Sequence, residues 1–160
     1  MRTRYASGLT DEAAKTSIDV LNTNLSLVID LSLVVKQAHW NMSGSGFIGV
    51  HKLLDETVGN LREVLDSMAE RAVVLGGIPN GTSQRVAEAT TLPKYPTDIF
   101  QVKDHVRELT QRYRLVAASL REAIEKTDEA GDKDTSDLFT EASRIVDKDT
   151  WFIGANADGN

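Results

Sequence analysis

Residues 47–75 read FIGVHKLLDETVGNLREVLDSMAERAVVL and contain both a helical pattern and a set of candidate metal ligands. Apolar residues recur at steps of three and four, which is the period of an amphipathic α-helix. They are Val50, Leu54, Val58, Leu61, Leu65, Met68 and Ala72. Gly76, Gly77 and Pro79 follow, and such residues are typical of the end of a helix. The segment is therefore predicted to form one long helix.

Two pairs of polar residues share a face of this helix. His51 and Asp55 form the first pair and Asp66 and Glu70 the second, each with the spacing i, i+4. At about 100° per residue, all four lie within a stripe roughly 100° wide. Asp55 and Asp66 are roughly 16 Å apart along the axis, whereas the ligands of one metal ion lie within about 2.0–2.6 Å of it. An antiparallel second copy across a two-fold axis would bring the first pair of one chain against the second pair of the other, so the sequence predicts metal sites between subunits.

His39 is a third candidate ligand of the first half of such a site. It ends the preceding apolar-periodic segment, and residues 43–46 (SGSG) turn the chain before His51. Two imidazoles and three carboxylates form a mixed nitrogen and oxygen set that suits iron, manganese or zinc. The chain has no cysteine, which excludes an iron–sulfur cluster.

Each of these residues also has a simpler interpretation when it is considered alone. His39 is then a helix-end histidine, His51 with Asp55 an exposed polar pair, and the pair at 66 and 70 a solvated acidic face. Their joint occurrence, with two of the three histidines on either side of one turn, favours the metal site. His105 has acidic neighbours but no aligned second pair, and it is predicted to be a surface residue.

The periodicity predicts four long helices, over residues 11–40, 47–75, 97–130 and 135–152. A polar connection over residues 80–96 joins the second helix to the third, with a possible short helix at 83–89. This is an all-α, ferritin-like four-helix bundle with a long crossover between helices two and three. A coiled-coil rod is the alternative, but the short loops near Gly46 and Gly131 favour antiparallel neighbours. We expect one domain over residues 1–160, with a flexible tail at 1–10 and a short tail at 153–160.

Charge and composition argue against two classes of protein, those that coat nucleic acid and those that span a membrane. The formal net charge is −6, which argues against a generally basic surface that coats nucleic acid. No segment has the apolar core of a signal peptide or approaches the ~20 apolar residues of a membrane span. A cytoplasmic protein with no membrane partner is therefore expected, with association with the nucleoid as an alternative.

The chain resembles the Dps family, the mini-ferritins named as DNA-binding proteins from starved cells. The resemblance extends from about residue 17 to residue 152 and rests on several short strings. They are KQAHWN at 36–41, HKLLD at 51–55, DSMAER at 66–71, YPTD at 95–98, ASR at 142–144, DK at 147–148 and WF at 151–152.

The resemblance implies a hollow dodecamer of four-helix bundles with ferroxidase centres at its two-fold interfaces. His39, His51 and Asp55 of one subunit would face Asp66 and Glu70 of its mate. Such centres bind Fe(II) and oxidise it, with hydrogen peroxide in preference to dioxygen, and ferric mineral collects inside the shell. Two irons per site are expected, with zinc or manganese as possible substitutes.

Two further features follow from the resemblance. Trp40 is interpreted either as an electron donor beside the site or as a packing aromatic at the dimer contact. An acidic cluster around the turn at residues 128–137 resembles the region that lines the family's three-fold pores, and Asp134 and Asp137 are the predicted wall residues. The remaining members of the cluster are Asp128, Glu129 and Asp132.

The sequence departs from two related patterns. It contains no Glu-x-x-His, the motif of the classical ferritin site within one bundle, so a metal would bind elsewhere. Its tails are poor in cations: Arg2 and Arg4 are the basic residues of segment 1–10, and segment 154–160 has none. We therefore favour a ferroxidase and iron store that protects against peroxide, with DNA binding weak or absent. A nucleoid-coating protein, a metal-dependent hydrolase and a metal-free bundle are the alternatives.

Overall fold

The computed structural model describes residues 3–157, and all of the regular elements in this range are helices. They are α1 (Asp11–Asn41), α2 (Phe47–Val74), α3 (Ser83–Ala89), α4 (Val102–Glu129) and α5 (Lys133–Gly154). The hairpins α1–α2 and α4–α5 pack together as a four-helix bundle, and the short α3 lies against α1 within the long connection from α2 to α4. The predicted fold class and the predicted short helix are therefore confirmed.

The apolar faces of the four long helices form one continuous core. Its fully buried large side chains include Leu21, Leu25, Leu31, Leu54, Leu61, Met68, Leu109, Tyr113, Leu120 and Phe139. Each buried aliphatic or aromatic side chain of this size contributes about 1.5–3 kcal/mol to stability relative to an exposed one.

Helix α1 is long and apolar enough to cross a membrane, since one window of it has a mean hydropathy of 1.6. The sequence pattern did not predict this property. In the bundle, this apolarity is explained by core packing, since α1 contributes buried residues along its whole length.

The start of α4 differs from the sequence prediction. The pattern predicted a helix from residue 97, but α4 begins at Val102 with Gln101 in the capping position. The N–H of Ser43 donates to the Phe100 carbonyl (2.8 Å), and the N–H of Val102 donates to the Ser43 carbonyl (3.1 Å). These contacts hold the end of the crossover as an extended segment against the α1–α2 turn. Because of this tertiary pairing, α4 begins later in the chain than the sequence pattern predicts.

His105 is buried, and the prediction that it lies at the surface is wrong. Its ring is 1% exposed, and Nδ1 lies 2.6 Å from the hydroxyl of Tyr95 in the crossover. Burial lowers the pKa of His105 more than the nearby carbonyls of Asn41 and Ile99 raise it, so the imidazole is neutral near pH 7. Arg112, also buried, donates to the carbonyls of Pro93 and Lys94. The two side chains fix the crossover to α4.

Asp132 is a structural residue at the turn between α4 and α5. It caps α5 by accepting from the N–H of Thr135, and Arg71 of α2 donates to its carboxylate at 2.8 Å. Burial alone would raise the pKa of Asp132, but the hydrogen bonds from Thr135, together with the Arg71 charge, outweigh burial and lower it. Ionised Asp132 therefore stabilises the folded protein at pH values above its ordinary pKa of 3.8. This stabilisation is lost as the pH falls through the lower pKa that Asp132 has in the folded state.

We predict that Arg71→Leu destabilises the protein by roughly 2–3 kcal/mol near pH 7, because it leaves the buried carboxylate of Asp132 without its cation. Urea unfolding at several pH values measures the effect, with Arg85→Leu, an exposed arginine on α3, as the matched control. The difference from the unmodified protein should shrink in acid as Asp132 becomes protonated. An equal loss of stability in the two variants would contradict this role of Arg71.

Candidate metal site

A glycine-containing turn brings the ends of α1 and α2 together at the candidate metal site. Gly44 and Gly46 have φ values of 105° and 77°, in the left-handed region that glycine adopts most readily. The turn reverses the chain so that His39, near the end of α1, faces His51, in the second turn of α2. Their rings stack with centroids 3.7 Å apart and an interplanar angle of 19°.

The two histidines are oriented by reciprocal hydrogen bonds. Nδ1 of His39 lies 2.9 Å from the His51 carbonyl, and Nδ1 of His51 lies 3.0 Å from the His39 carbonyl. Because a carbonyl oxygen only accepts, each Nδ1 must carry the proton. In the neutral rings, each Nε2 then has a free lone pair. This is the arrangement that typically orients metal-binding histidines, with the second ring nitrogen held by a backbone carbonyl.

Asp55 completes the group, one turn along α2 from His51. Its Oδ1 lies 3.5 Å from Nε2 of His39 and accepts a hydrogen bond of 2.7 Å from the Lys36 ammonium. That hydrogen bond is the main reason why the pKa of Asp55 falls below its ordinary value, and the two imidazoles add smaller contributions. The carboxylate is therefore ionised and available, but it is shared with an internal cation. Sequence reasoning missed Lys36, although it lies one helical turn before His39.

Asp66 and Glu70 do not join this group within one chain. The unbroken helix α2 carries them further along its axis, by roughly 16 Å from Asp55 to Asp66. Both are exposed, and among residues 3–157 neither has an ion-pair partner within 4.0 Å. In the same range, no three His, Asp or Glu side chains converge as a complete metal site. One chain therefore presents two separate sets of candidate ligands.

Exposed apolar side chains lie on the two helices that carry the first set. Leu33 and Trp40 of α1 are 59% and 68% exposed, and Ile48 of α2 is 60% exposed. Phe47 contacts the His51 ring, with centroids 5.0 Å apart. The Lys36 ammonium lies 5.6 Å from the centre of the Trp40 ring. Large exposed apolar residues beside polar ligands are typical of a surface that another chain covers.

The acidic cluster near the α4–α5 turn is less uniform than its sequence suggests. Asp134 and Asp137 are exposed, as a pore wall requires, although Asp134 lies 3.8 Å from Arg71. Asp128 pairs with Lys133. Asp132 is buried and serves as the cap and ion-pair partner described above, so it does not belong to an exposed acidic cluster.

Comparisons with known proteins agree on one family. The model of the ferritin-like domain matches residues 18–158. The chain is 49% identical to the DNA protection during starvation protein of Agrobacterium fabrum, over 92% of the chain and 91% of that protein. It is 33% identical to the fine tangled pili major subunit of Haemophilus ducreyi, over 94% and 79% of the two chains. The structure of DpsC from Streptomyces coelicolor superimposes with a TM-score of 0.93 and 30% identity, covering 100% of this chain and 94% of that one.

We predict that Lys36→Met tightens the binding of a divalent metal at His39, His51 and Asp55 by up to about five-fold, because a partly exposed ion pair of about 0.2–1 kcal/mol no longer competes. Calorimetric titration with Zn(II), which has no redox chemistry, measures the affinity. Lys52→Met is the control, since Lys52 is an exposed lysine of α2, the helix that carries His51 and Asp55. Unchanged affinity in Lys36→Met would show that the ammonium does not compete with the metal.

Proposed function

The chain belongs to the Dps family of ferritin-like proteins, and on this basis we propose that it is a ferroxidase and iron store. It oxidises Fe(II) at metal sites shared by two subunits and keeps the ferric product inside a dodecameric shell. By removing Fe(II) and consuming peroxide, it protects DNA from oxidative damage and contributes to iron homeostasis. A cytoplasmic location is part of the same proposal.

The proposal depends above all on the orientation of the two imidazoles. Their Nδ1 atoms are committed to backbone carbonyls, so both Nε2 atoms are available as ligands beside Asp55. Neutral imidazole favours Fe(II), and carboxylate oxygen binds both Fe(II) and Fe(III). The donor set therefore fits an ion that changes its oxidation state while it is bound.

The second half of each site would come from the partner subunit's Asp66 and Glu70. The same two residues of this chain would complete the partner's site, because a two-fold contact repeats every interaction. The exposed apolar residues Leu33, Trp40 and Ile48 lie on the elements that carry the first ligands, and burying them would supply the contact.

Two ions at one site give the reaction its selectivity. Two Fe(II) each lose one electron, and together they reduce one hydrogen peroxide to two hydroxide ions. A single iron would deliver only one electron and release a hydroxyl radical. Dioxygen is the alternative oxidant, and zinc or manganese could bind the same ligands. Trp40, adjacent to His39, is proposed as a donor of an electron if a radical forms; its other role would be packing at the subunit contact.

We predict that neither half of the site oxidises iron alone. His51→Ala with Asp55→Ala in one variant, and Asp66→Ala with Glu70→Ala in the other, should each abolish peroxide-driven oxidation of Fe(II). When the two variants are dissociated, mixed and reassembled, some interfaces pair two intact halves, so part of the activity should return. Optical measurement of ferric iron, with about one peroxide consumed for every two irons, follows the reaction.

Full oxidation by both separate variants would disprove the shared site. Absence of recovery in verified mixed assemblies would disprove the assignment of the two halves to different subunits. Circular dichroism and size-exclusion chromatography show whether each variant keeps its helices and its assembly.

We also propose that Asp134 and Asp137 attract iron to a pore of the shell, because grouped carboxylates concentrate cations at a narrow opening. Asp134→Asn with Asp137→Asn should slow iron uptake, most clearly at low ionic strength where charges are least screened. Glu12→Gln with Asp19→Asn removes the same charge elsewhere and is the control. Equal uptake by the two double variants across a salt series would refute the pore role.

DNA binding is predicted to be weak or absent at physiological salt. Arg4 pairs with Asp11 at 3.0 Å, and Arg2 lies outside the described residues. Few phosphates can therefore be neutralised by one subunit, although twelve copies could add avidity at low salt. A gel-shift series with supercoiled plasmid should show free plasmid at physiological salt. Firm retention there, lost on deletion of residues 1–9, would contradict this expectation.

A further inference from the structure

A group of polar side chains lies inside the bundle, away from the metal ligands. Thr57 and Asn60 of α2, Tyr113 of α4 and Asp149 of α5 form this interior cluster. Thr57 and Tyr113 are fully buried, and Asp149 is 1% exposed. The proposed ferroxidase mechanism does not use any of the four residues.

Two atoms of the interior cluster have no hydrogen-bond partner among the described residues. Asn60 donates from Nδ2 to Oδ1 of Asp149 at 2.9 Å, which satisfies one oxygen of the carboxyl group. The other oxygen, Oδ2, is buried and unpaired, and so is the hydroxyl of Tyr113. Buried polar atoms in native proteins are almost always hydrogen-bonded, either to protein or to an ordered water. The two unpaired atoms, Oδ2 of Asp149 and the hydroxyl of Tyr113, therefore require an explanation.

We propose that the interior cluster is a binding site for one water molecule, which bridges the Tyr113 hydroxyl and Oδ2 of Asp149. A water matches the two unpaired atoms, because it can accept from the phenol and donate to the carboxylate. Thr57 offers a third contact: its hydroxyl proton is used by the Leu54 carbonyl at 3.1 Å, but its oxygen can still accept. Three partners are typical of a buried water.

A metal ion fits the interior cluster poorly. The cluster has one carboxyl group, and the nearest amide directs its NH₂ group, not its oxygen, at that carboxylate. Hard divalent cations need about six oxygen ligands, usually with more than one carboxylate. Burial is the main reason why the pKa of Tyr113 is raised, so the phenol keeps its proton and remains a neutral donor.

The water would also support the charge of Asp149. Burial is the main cause that raises the pKa of Asp149 to about 6, with Glu56 of α2 adding to the rise, while Asn60 and Lys148 lower it. Above this pH the carboxylate is ionised inside the bundle. A bridging water that donates to the ionised oxygen stabilises it without any movement of the helices.

A crystal structure of the intact assembly at pH 7.5 and high resolution tests the proposal. The expected result is one density peak within 3.2 Å of both the Tyr113 hydroxyl and Oδ2 of Asp149, without anomalous signal. Tyr113→Phe should keep the fold and lose the peak, whereas Tyr95→Phe, which removes the phenol hydroxyl of a half-buried tyrosine elsewhere, should retain it. An empty site, a direct Tyr113–Asp149 hydrogen bond, an ion with anomalous signal, or a peak that persists in Tyr113→Phe would overturn the proposal.

A titration in solution gives an independent result. Unfolding midpoints are measured over a range of pH with and without Asp149→Asn, both in the unmodified protein and in Tyr113→Phe. In each case, the difference caused by Asp149→Asn isolates the contribution of this carboxyl group to stability. Because its folded-state pKa is raised, that contribution is present below its ordinary pKa of 3.8 and is lost as the pH rises through about 6. Tyr113→Phe should move the upper end of this change upward by about one pH unit, because the ionised form loses a hydrogen-bonded bridge. An unchanged profile would contradict the bridge.

Discussion

The reciprocal hydrogen bonds between His39 and His51 are the contacts on which the proposed chemistry depends. They fix which nitrogen of each ring carries the proton, and so they determine that both Nε2 atoms are free to bind a metal. The bonds need α1 and α2 to be adjacent and antiparallel at one particular register. The turn through Gly44 and Gly46 supplies the reversal, and the hydrogen bonds of Ser43 with the end of the crossover hold that turn against α4. The long crossover therefore contributes to the site, although it carries no ligand.

Helix rigidity is the second constraint. Helix α2 is uninterrupted and carries the pair that contains Asp55 and the pair that contains Asp66 on one stripe of its surface. The two pairs are too far apart along the helix axis to bind the same metal ion. The bundle core fills most of the space between the four long helices with apolar side chains. Asp55, Asp66 and Glu70 are exposed on the outside of the bundle, His51 is half-buried, and His39 is buried near the end of α1. A metal site made from them needs a second chain, and the exposed Trp40 and Ile48 provide apolar surface beside it. In this account, assembly and chemistry depend on the same surface of α1 and α2.

The sequence predicted the features that depend on local periodicity. It failed to predict the features that depend on contacts between residues far apart in the chain. Steps of three and four along the chain were sufficient for the four long helices and their crossover, and i, i+4 spacing for the carboxylate pairs. The later start of α4 was not predictable, because it depends on backbone hydrogen bonds of Phe100 and Val102 with Ser43, more than fifty positions away. His105 and Asp132 look like surface residues by composition, but Tyr95 and Arg71 cover and pair them from other elements. Lys36 was missed for the same reason, since its bond to Asp55 links two helices.

The central claim, a metal site shared by two chains, is tested most directly by the structure of the metal-loaded assembly. Crystals of the dodecamer soaked with Fe(II) under anaerobic conditions, or with Zn(II), would be measured at the absorption edge of the metal. The account predicts anomalous peaks at every two-fold interface, each bounded by His39, His51 and Asp55 of one subunit and by the partner subunit's Asp66 and Glu70. Metal bound wholly by residues of one chain, or two-fold interfaces that stay empty at saturating metal, would contradict it.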